Sequence, residues 1–149
     1  MSDGNLSQSE ADALIAMEKR REDDTLWSFP RPGASVIIPL VSADSREGFL
    51  LDVGRGGINI AKCKYQNRAR KLVILVRLEI EGPTHQNPDG TEVPCPHLHM
   101  YREGYGDKWA YPVPAGQFPN LTDIWLSMHD FMAYCNVVDP PLFQGGLVL

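Results

Sequence analysis

The spacing of apolar residues along the 149-residue chain runs from helical to alternating and back to helical. Ser7 and Glu10 have capping-box spacing, and Ala11, Leu14 and Ile15 follow at helical intervals. A helix is therefore predicted over 8–21, with a narrow apolar stripe and a highly charged C-terminal end. Phe29-Pro30-Arg31-Pro32-Gly33 breaks the chain after it. Ser35 to Val41 is rich in β-branched residues, Phe49 to Val53 is a second short run, and both predict strands. Gly54-Arg55-Gly56-Gly57 between them and the next run reads as a hairpin connection. Ile58 to Tyr65 alternates, and Gln66 to Ala69 reads as a polar turn. Leu72, Ile74, Val76, Leu78 and Ile80 alternate through the longest predicted strand. Val73 and Leu75 make its other face apolar in the first half, as in a strand covered on both sides.

Gly82 to Pro96 is a proline-rich loop with an Asp89-Gly90 turn signal. His97 to Arg102 predicts a strand, Glu103 to Asp107 a turn and Lys108 to Val113 the partner strand. Pro114 to Pro119 is a linker. Asn120 and Asp123 suit a helix start, and Leu121, Ile124, Trp125, Met128, Met132 and Cys135 form a broad apolar stripe after them. The order predicts a single α+β domain over 1–149. It has a mainly antiparallel sheet of about five to six strands, an N-terminal helix and a packed C-terminal helix. Residues 1–6 and 139–149 read as flexible or extended tails. Gly54-Arg55-Gly56-Gly57 is not a phosphate loop, because no Lys-Ser follows it and no helix begins there.

Composition adds bounds. At 43% hydrophobic and 22% charged residues, the chain can build one ordinary core. No apolar run has the length of a membrane span, and the polar, acidic N-terminus is no secretory signal, so a cytoplasmic protein without membrane contact is expected. Three cysteines, Cys63, Cys95 and Cys135, are odd in number and widely spaced, which points to reduced thiols. The net charge of −5 hides an uneven distribution. No acid lies between Asp52 and Glu79, where Arg55, Lys62, Lys64, Arg68, Arg70, Lys71 and Arg77 all fall. An acidic chain with a basic middle can bind a polyanion locally. Arg55, Lys62, Lys64, Arg68 and Arg70, with Tyr105 and Trp109 for base stacking, are the nucleic-acid-binding candidates. A solvated edge hairpin explains the same cations equally well.

The densest chemistry lies in Pro96-His-Leu-His-Met-Tyr-Arg-Glu-Gly-Tyr-Gly-Asp-Lys-Trp-Ala-Tyr-Pro112. Residues two apart on a strand share a face. His97, His99 and Tyr101 are thus expected on one side, with Leu98 and Met100 toward the core. Three chemistries fit. One is metal-independent cleavage of RNA, with His97 and His99 as acid and base, Arg102 and Lys108 on the phosphate charge and Tyr101 orienting or stacking. That reading needs no cofactor. Another is a non-catalytic surface for a protein partner, built from Tyr101, Arg102, Tyr105, Trp109 and Tyr111. The third is a metal site in which His97 and His99 converge with His85 or Cys95. The oligomeric state is not encoded in any of these patterns.

The span from Phe49 to Val113, and above all the phrase from His97 to Trp109, resembles a small family of uncharacterised bacterial and prophage proteins. The resemblance implies a prokaryotic or phage origin and a setting near mobile elements, hence a toxin, defence or counter-defence partner. It carries no catalytic residue over to this chain.

Overall fold

The computed structural model describes residues 5–58 and 62–144. Its backbone of strands is a meander. Ser35–Ser42 (β3), Gly48–Arg55 (β4), Cys63–Ala69 (β5) and Val73–Glu79 (β6) pair antiparallel in sequence order. His97–Met100 (β9) pairs antiparallel with β6, and Ala110–Pro112 (β10) with β9, closing one edge. At the other edge Lys19–Arg21 (β1) pairs antiparallel with β3 and parallel with Val137–Asp139 (β11). The eight strands run β10-β9-β6-β5-β4-β3-β1-β11. Two small ribbons complete the set: Leu26–Trp27 (β2) with Leu142–Phe143 (β12), and His85–Gln86 (β7) with Glu92–Val93 (β8). The helices are Gln8–Ala16 (α1) and Ile124–Tyr134 (α2).

The α+β class and the mainly antiparallel sheet agree with the sequence reading, whereas the strand number exceeds it. The extra strands are short. β1 and β11 have three residues each, too few to show a period, and become strands only because each finds a partner at the sheet edge. For the same reason the first helix ends at Ala16 rather than residue 21, and the tail supplies β11 and β12. The polar stretch 66–69 is the end of β5, and the turn is Arg70-Lys71, both left-handed at φ 51° and 66°. With Leu72 they form a three-residue connection between the paired Ala69 and Val73, at a cost of about 1–2 kcal/mol for each left-handed non-glycine residue. Gly54 and Arg55, read as turn residues, belong to β4. Residues 59–61 of the strand expected over 58–65, and 1–4 and 145–149 of the expected tails, lie outside the described residues.

One face of the sheet is apolar. Ile38, Leu40, Phe49, Leu51, Val53, Tyr65, Leu78 and Leu98 pack there with Leu14 of α1 and with Met128, Phe131 and Met132 of α2. Both helices start as their sequences predict. Ser7 and Glu10 form a reciprocal capping box, and Asp123 accepts from the amides of Trp125 and Leu126 at 2.9 Å. No helix among the described residues is long and apolar enough to cross a membrane.

The helix ends share one device. The Lys19 ammonium, fully buried, donates to the carbonyls of Ile15 and Met17 at 3.0 Å and of Cys135 at 2.7 Å, so it caps both C-termini. Asn136, left-handed at φ 60° after α2, adds a side-chain donation to Ala16 O at 2.7 Å. Burial lowers the Lys19 pKa to about 8, with Cys135 acting in the opposite direction. Removing the ammonium takes the donor from three carbonyls, that of Cys135 in a buried bond and those of Ile15 and Met17 in part-buried ones. Lys19→Met is expected to cost about 3 kcal/mol, read in a thermal melt as a Tm lower by about 10 °C. A melt that does not move would show that the caps do not join the helices to the sheet edge.

Candidate metal centre

β6 and β9 pair in the register that sets Arg77 opposite His99 and Glu79 opposite His97. Leu78 and Leu98, paired between them, point into the core, so these four side chains emerge on the face opposite the helices. The rows continue across the sheet as Asp52–Gln66–Arg77–His99–Ala110 and Gly54–Lys64–Glu79–His97–Pro112. Lys64 and Arg77 of the basic middle therefore share one face with the two histidines.

The loop from Gly82 to Pro96 folds back over that face. Its β7–β8 ribbon sets His85 opposite Val93. The Asn87 side chain clips the ribbon to the edge strand, donating to Ala110 O at 3.0 Å and accepting from Ala110 N at 2.8 Å. Under this cover His97 and His99 are 0% and 1% exposed, and the Glu79 side chain is 19% exposed.

Donor and acceptor arithmetic then constrains each ring, because a neutral imidazole has one N–H and one lone pair. His99 donates from Nδ1 to Asp107 O at 2.8 Å. Its Nε2 is thus an acceptor; it is buried, meets no donor among the described residues, and lies 3.9 Å from Glu79 Oε2. Burial, reinforced by Arg77, lowers the His99 pKa to about 4 against the opposing pull of Asp107 O and Glu79, so the ring is neutral at pH 7. His97 stands between two acceptors. Nδ1 is 3.1 Å from Val93 O, and Nε2 is 3.1 Å from Glu79 Oε1. A neutral ring can donate to one of them only. Both contacts are satisfied either by a second proton or by a cation shared between Nε2 and the carboxylate.

Glu79 is ionised. Burial raises its pKa, but Arg77, His99, Lys64 and the His97 bond together outweigh that and hold it below the ordinary glutamate value. Arg77 Nε donates to Oε2 at 2.9 Å, and Lys64 Nζ lies 4.0 Å from the same oxygen, which leaves Oε1 turned toward His97. Arg77 is itself paired with Asp107, whose carbonyl orients His99. The ligand atoms of Glu79, His97 and His99 all lie within 4.8 Å of one another. Two ligand atoms on a tetrahedral ion with bonds of about 2.0–2.1 Å sit about 3.3 Å apart, so a first-row divalent ion fits with small side-chain movements. No metal is needed to bring the three residues together. The orphaned lone pair of His99 and the double acceptor around His97 are what a metal would resolve.

The other expected site residues are dispersed. Tyr101 does not share the histidine face. It turns into the helix-side core, where its hydroxyl donates to Leu6 O and accepts from Leu6 N, both at 2.8 Å, because the chain leaves the strand after Met100. Arg102 is exposed and stacks 4.2 Å above the Trp109 ring, with Tyr105 edge-on to Trp109 at 5.8 Å. The Lys108 side chain is exposed, and its carbonyl accepts from His85 Nε2 at 2.7 Å. His85 is brought to the cluster: its ring centre is 4.6 Å from that of His99 and 5.9 Å from that of His97. Cys95 Sγ is 3.6 Å from His97 Nδ1, with its thiol pKa raised chiefly by burial.

Of the expected nucleic-acid contacts, Lys62 and Lys64 are exposed on the histidine side of the sheet. Arg68 grips Asp52 with two bonds of 2.7 Å, Arg70 pairs with Glu47 at 3.3 Å, and Arg55 donates to Pro30 O beside the Phe29 ring. Two participants escaped the sequence reading, Glu79 and Asp107, and Arg77 entered it only as one of the cations of the basic middle. The one trace of Glu79 in the sequence is that it continues the alternation Arg77, Glu79 on the side of the longest strand that faces away from Leu78.

Residues 6–137 match a family of unknown function (DUF6978), and the chain belongs to that family. No curated protein and no solved structure matches it.

The neutral His99 has a consequence for acid stability. The groups facing it are Arg77 and Glu79 on β6, His97 on its own strand, His85 on the ribbon and Asp107 on the turn. Above the ordinary value of 6.5 the ring is neutral in both folded and unfolded chains. Between 6.5 and about 4 the unfolded chain takes up a proton that the folded one refuses, so stability falls as pH falls. The loss amounts to about 3 kcal/mol at the foot of that window. Chemical denaturation in chelator-containing buffer at stepped pH should show this limb, and His99→Gln should flatten it. An equal slope in both proteins would refute the assignment.

Proposed function

We propose that this member of the DUF6978 family is a metal-binding protein, with a divalent first-row transition ion held by His97, His99 and Glu79. The observation that carries the reading is His99 Nε2: a buried lone pair with no donor, aimed into a group of ligand atoms that all lie within 4.8 Å. Two imidazoles and one carboxylate suit zinc and iron(II) better than calcium or magnesium, which prefer all-oxygen shells. The surroundings have the form of an outer ligand shell. Backbone carbonyls of Val93 and Asp107 take the Nδ1 protons and fix both rings with Nε2 toward the carboxylate. Arg77 and Lys64 hold the far oxygen of Glu79.

Acid–base cleavage of RNA by His97 and His99 would use the same atoms. It would require rings that are 0% and 1% exposed to reach a phosphodiester. Lys62 and Lys64 are the exposed cations on that side which such a substrate would meet. A partner-binding surface draws its support from a different place, the Arg102–Trp109–Tyr105 stack on the turn beyond β9.

Elemental analysis of protein purified without chelator tests the metal reading. About one equivalent of a transition metal is expected, together with at least a 100-fold loss of affinity in His99→Ala and in Glu79→Gln, the upper end of what even an outer-shell change costs. A metal-free protein that titration with zinc, iron(II) and manganese leaves unoccupied would overturn it. Cleavage of labelled RNA that survives chelator and disappears in His99→Ala would instead return the histidines to acid–base work.

A further inference from the structure

We infer that His85 is the fourth ligand of this centre and closes it into a three-histidine, one-glutamate site; the inference rests on the metal reading above. The ring stands 4.6 Å from His99 and 5.9 Å from His97, centre to centre and edge-on to both, just outside the group of ligand atoms that lie within 4.8 Å of one another, so ligation asks the ribbon to bring it inward. Its orientation follows the rule already met at the other two rings. His85 Nε2 lies 2.7 Å from Lys108 O, so that nitrogen donates and Nδ1 keeps the lone pair.

The three rings are held by carbonyls of two segments. Asp107 O orients His99, and the next carbonyl, Lys108 O, orients His85. Val93 O orients His97, and Val93 is the residue paired with His85 across the β7–β8 ribbon. A ribbon that supplies both an orienting carbonyl and an imidazole, and that Asn87 clips to Ala110, is a built wall of the site. Each of the three rings has one nitrogen 2.7–3.1 Å from a main-chain carbonyl, an arrangement that packing alone does not require.

Four protein ligands with no position left for water make a structural centre, and zinc is the ion that best suits that number and geometry. The centre then locks the ribbon onto β9 and β10. The activity to expect is the ordering of the 82–96 segment and of the edge it covers, not hydrolysis at the metal.

Cobalt(II) titration of the full chain reads the coordination number directly. The wild type should develop the intense visible bands of four-coordinate cobalt. His85→Ala should give the weak bands of five or six ligands, with at least about a 10-fold weaker Kd. In parallel, nitrogen NMR of the histidine side chains should show zinc moving His85 Nδ1 while Nε2 keeps its proton. Circular dichroism checks that the variant, altered on an outer ribbon, retains its sheet. Unchanged bands and affinity in His85→Ala, or a His85 Nδ1 signal that zinc leaves in place, would overturn the fourth-ligand assignment while sparing the other three. A wild type that takes up neither ion would overturn both.

Discussion

The antiparallel register of β6 against β9 is the constraint on which the rest depends. It sets Glu79 beside His97 and Arg77 beside His99, and it puts Leu78 and Leu98 into the core between them. A slip of β9 by one residue would carry the two histidines into the apolar layer and Leu98 and Met100 out of it. That error would strand buried polar groups and expose apolar surface in the same stroke, so the core enforces the site. The same register runs on through β5 and β10, which is why Lys64 and Arg77 occupy the face of the imidazoles.

Each imidazole is oriented by the main chain, not by another side chain. Val93, Asp107 and Lys108 present carbonyls whose positions follow from the ribbon and the Glu103–Asp107 turn. Main-chain acceptors lack the rotamer freedom of side-chain ones, which makes for a rigid outer shell. Arg77 adds a charged link by binding both Glu79 and Asp107, so the carboxylate and the turn that steers His99 are tied together. At the opposite edge Lys19 does comparable work for packing: one ammonium fastens the ends of both helices to β1. The molecule thus has a stapled edge and a histidine edge, joined by the four-strand meander.

Hydrophobic periodicity alone determined the class of fold, the central strands, the capping box at Ser7 and the Asp123 start of the second helix, because those features depend on neighbours close in sequence. The same alternation brought His97 and His99 to one side of one strand. It could not find β1, β11 or the two ribbons, whose two or three residues carry no period and become strands only through a partner elsewhere in the chain. It also set Tyr101 on the wrong side, since strand alternation holds only while the strand lasts, and the chain turns toward Leu6 after Met100.

Tertiary structure decided what the histidines can be. Glu79 lies 18 residues from His97 in sequence and 3.1 Å away in space. His85 reaches the cluster only because a proline-rich loop folds back as a ribbon and Asn87 clips it to the edge strand. Residue types are local and were plain in the chain. Burial, the tautomer that a distant carbonyl imposes, and the lone pair left without a donor are non-local quantities, set by which backbone comes to lie beside each ring.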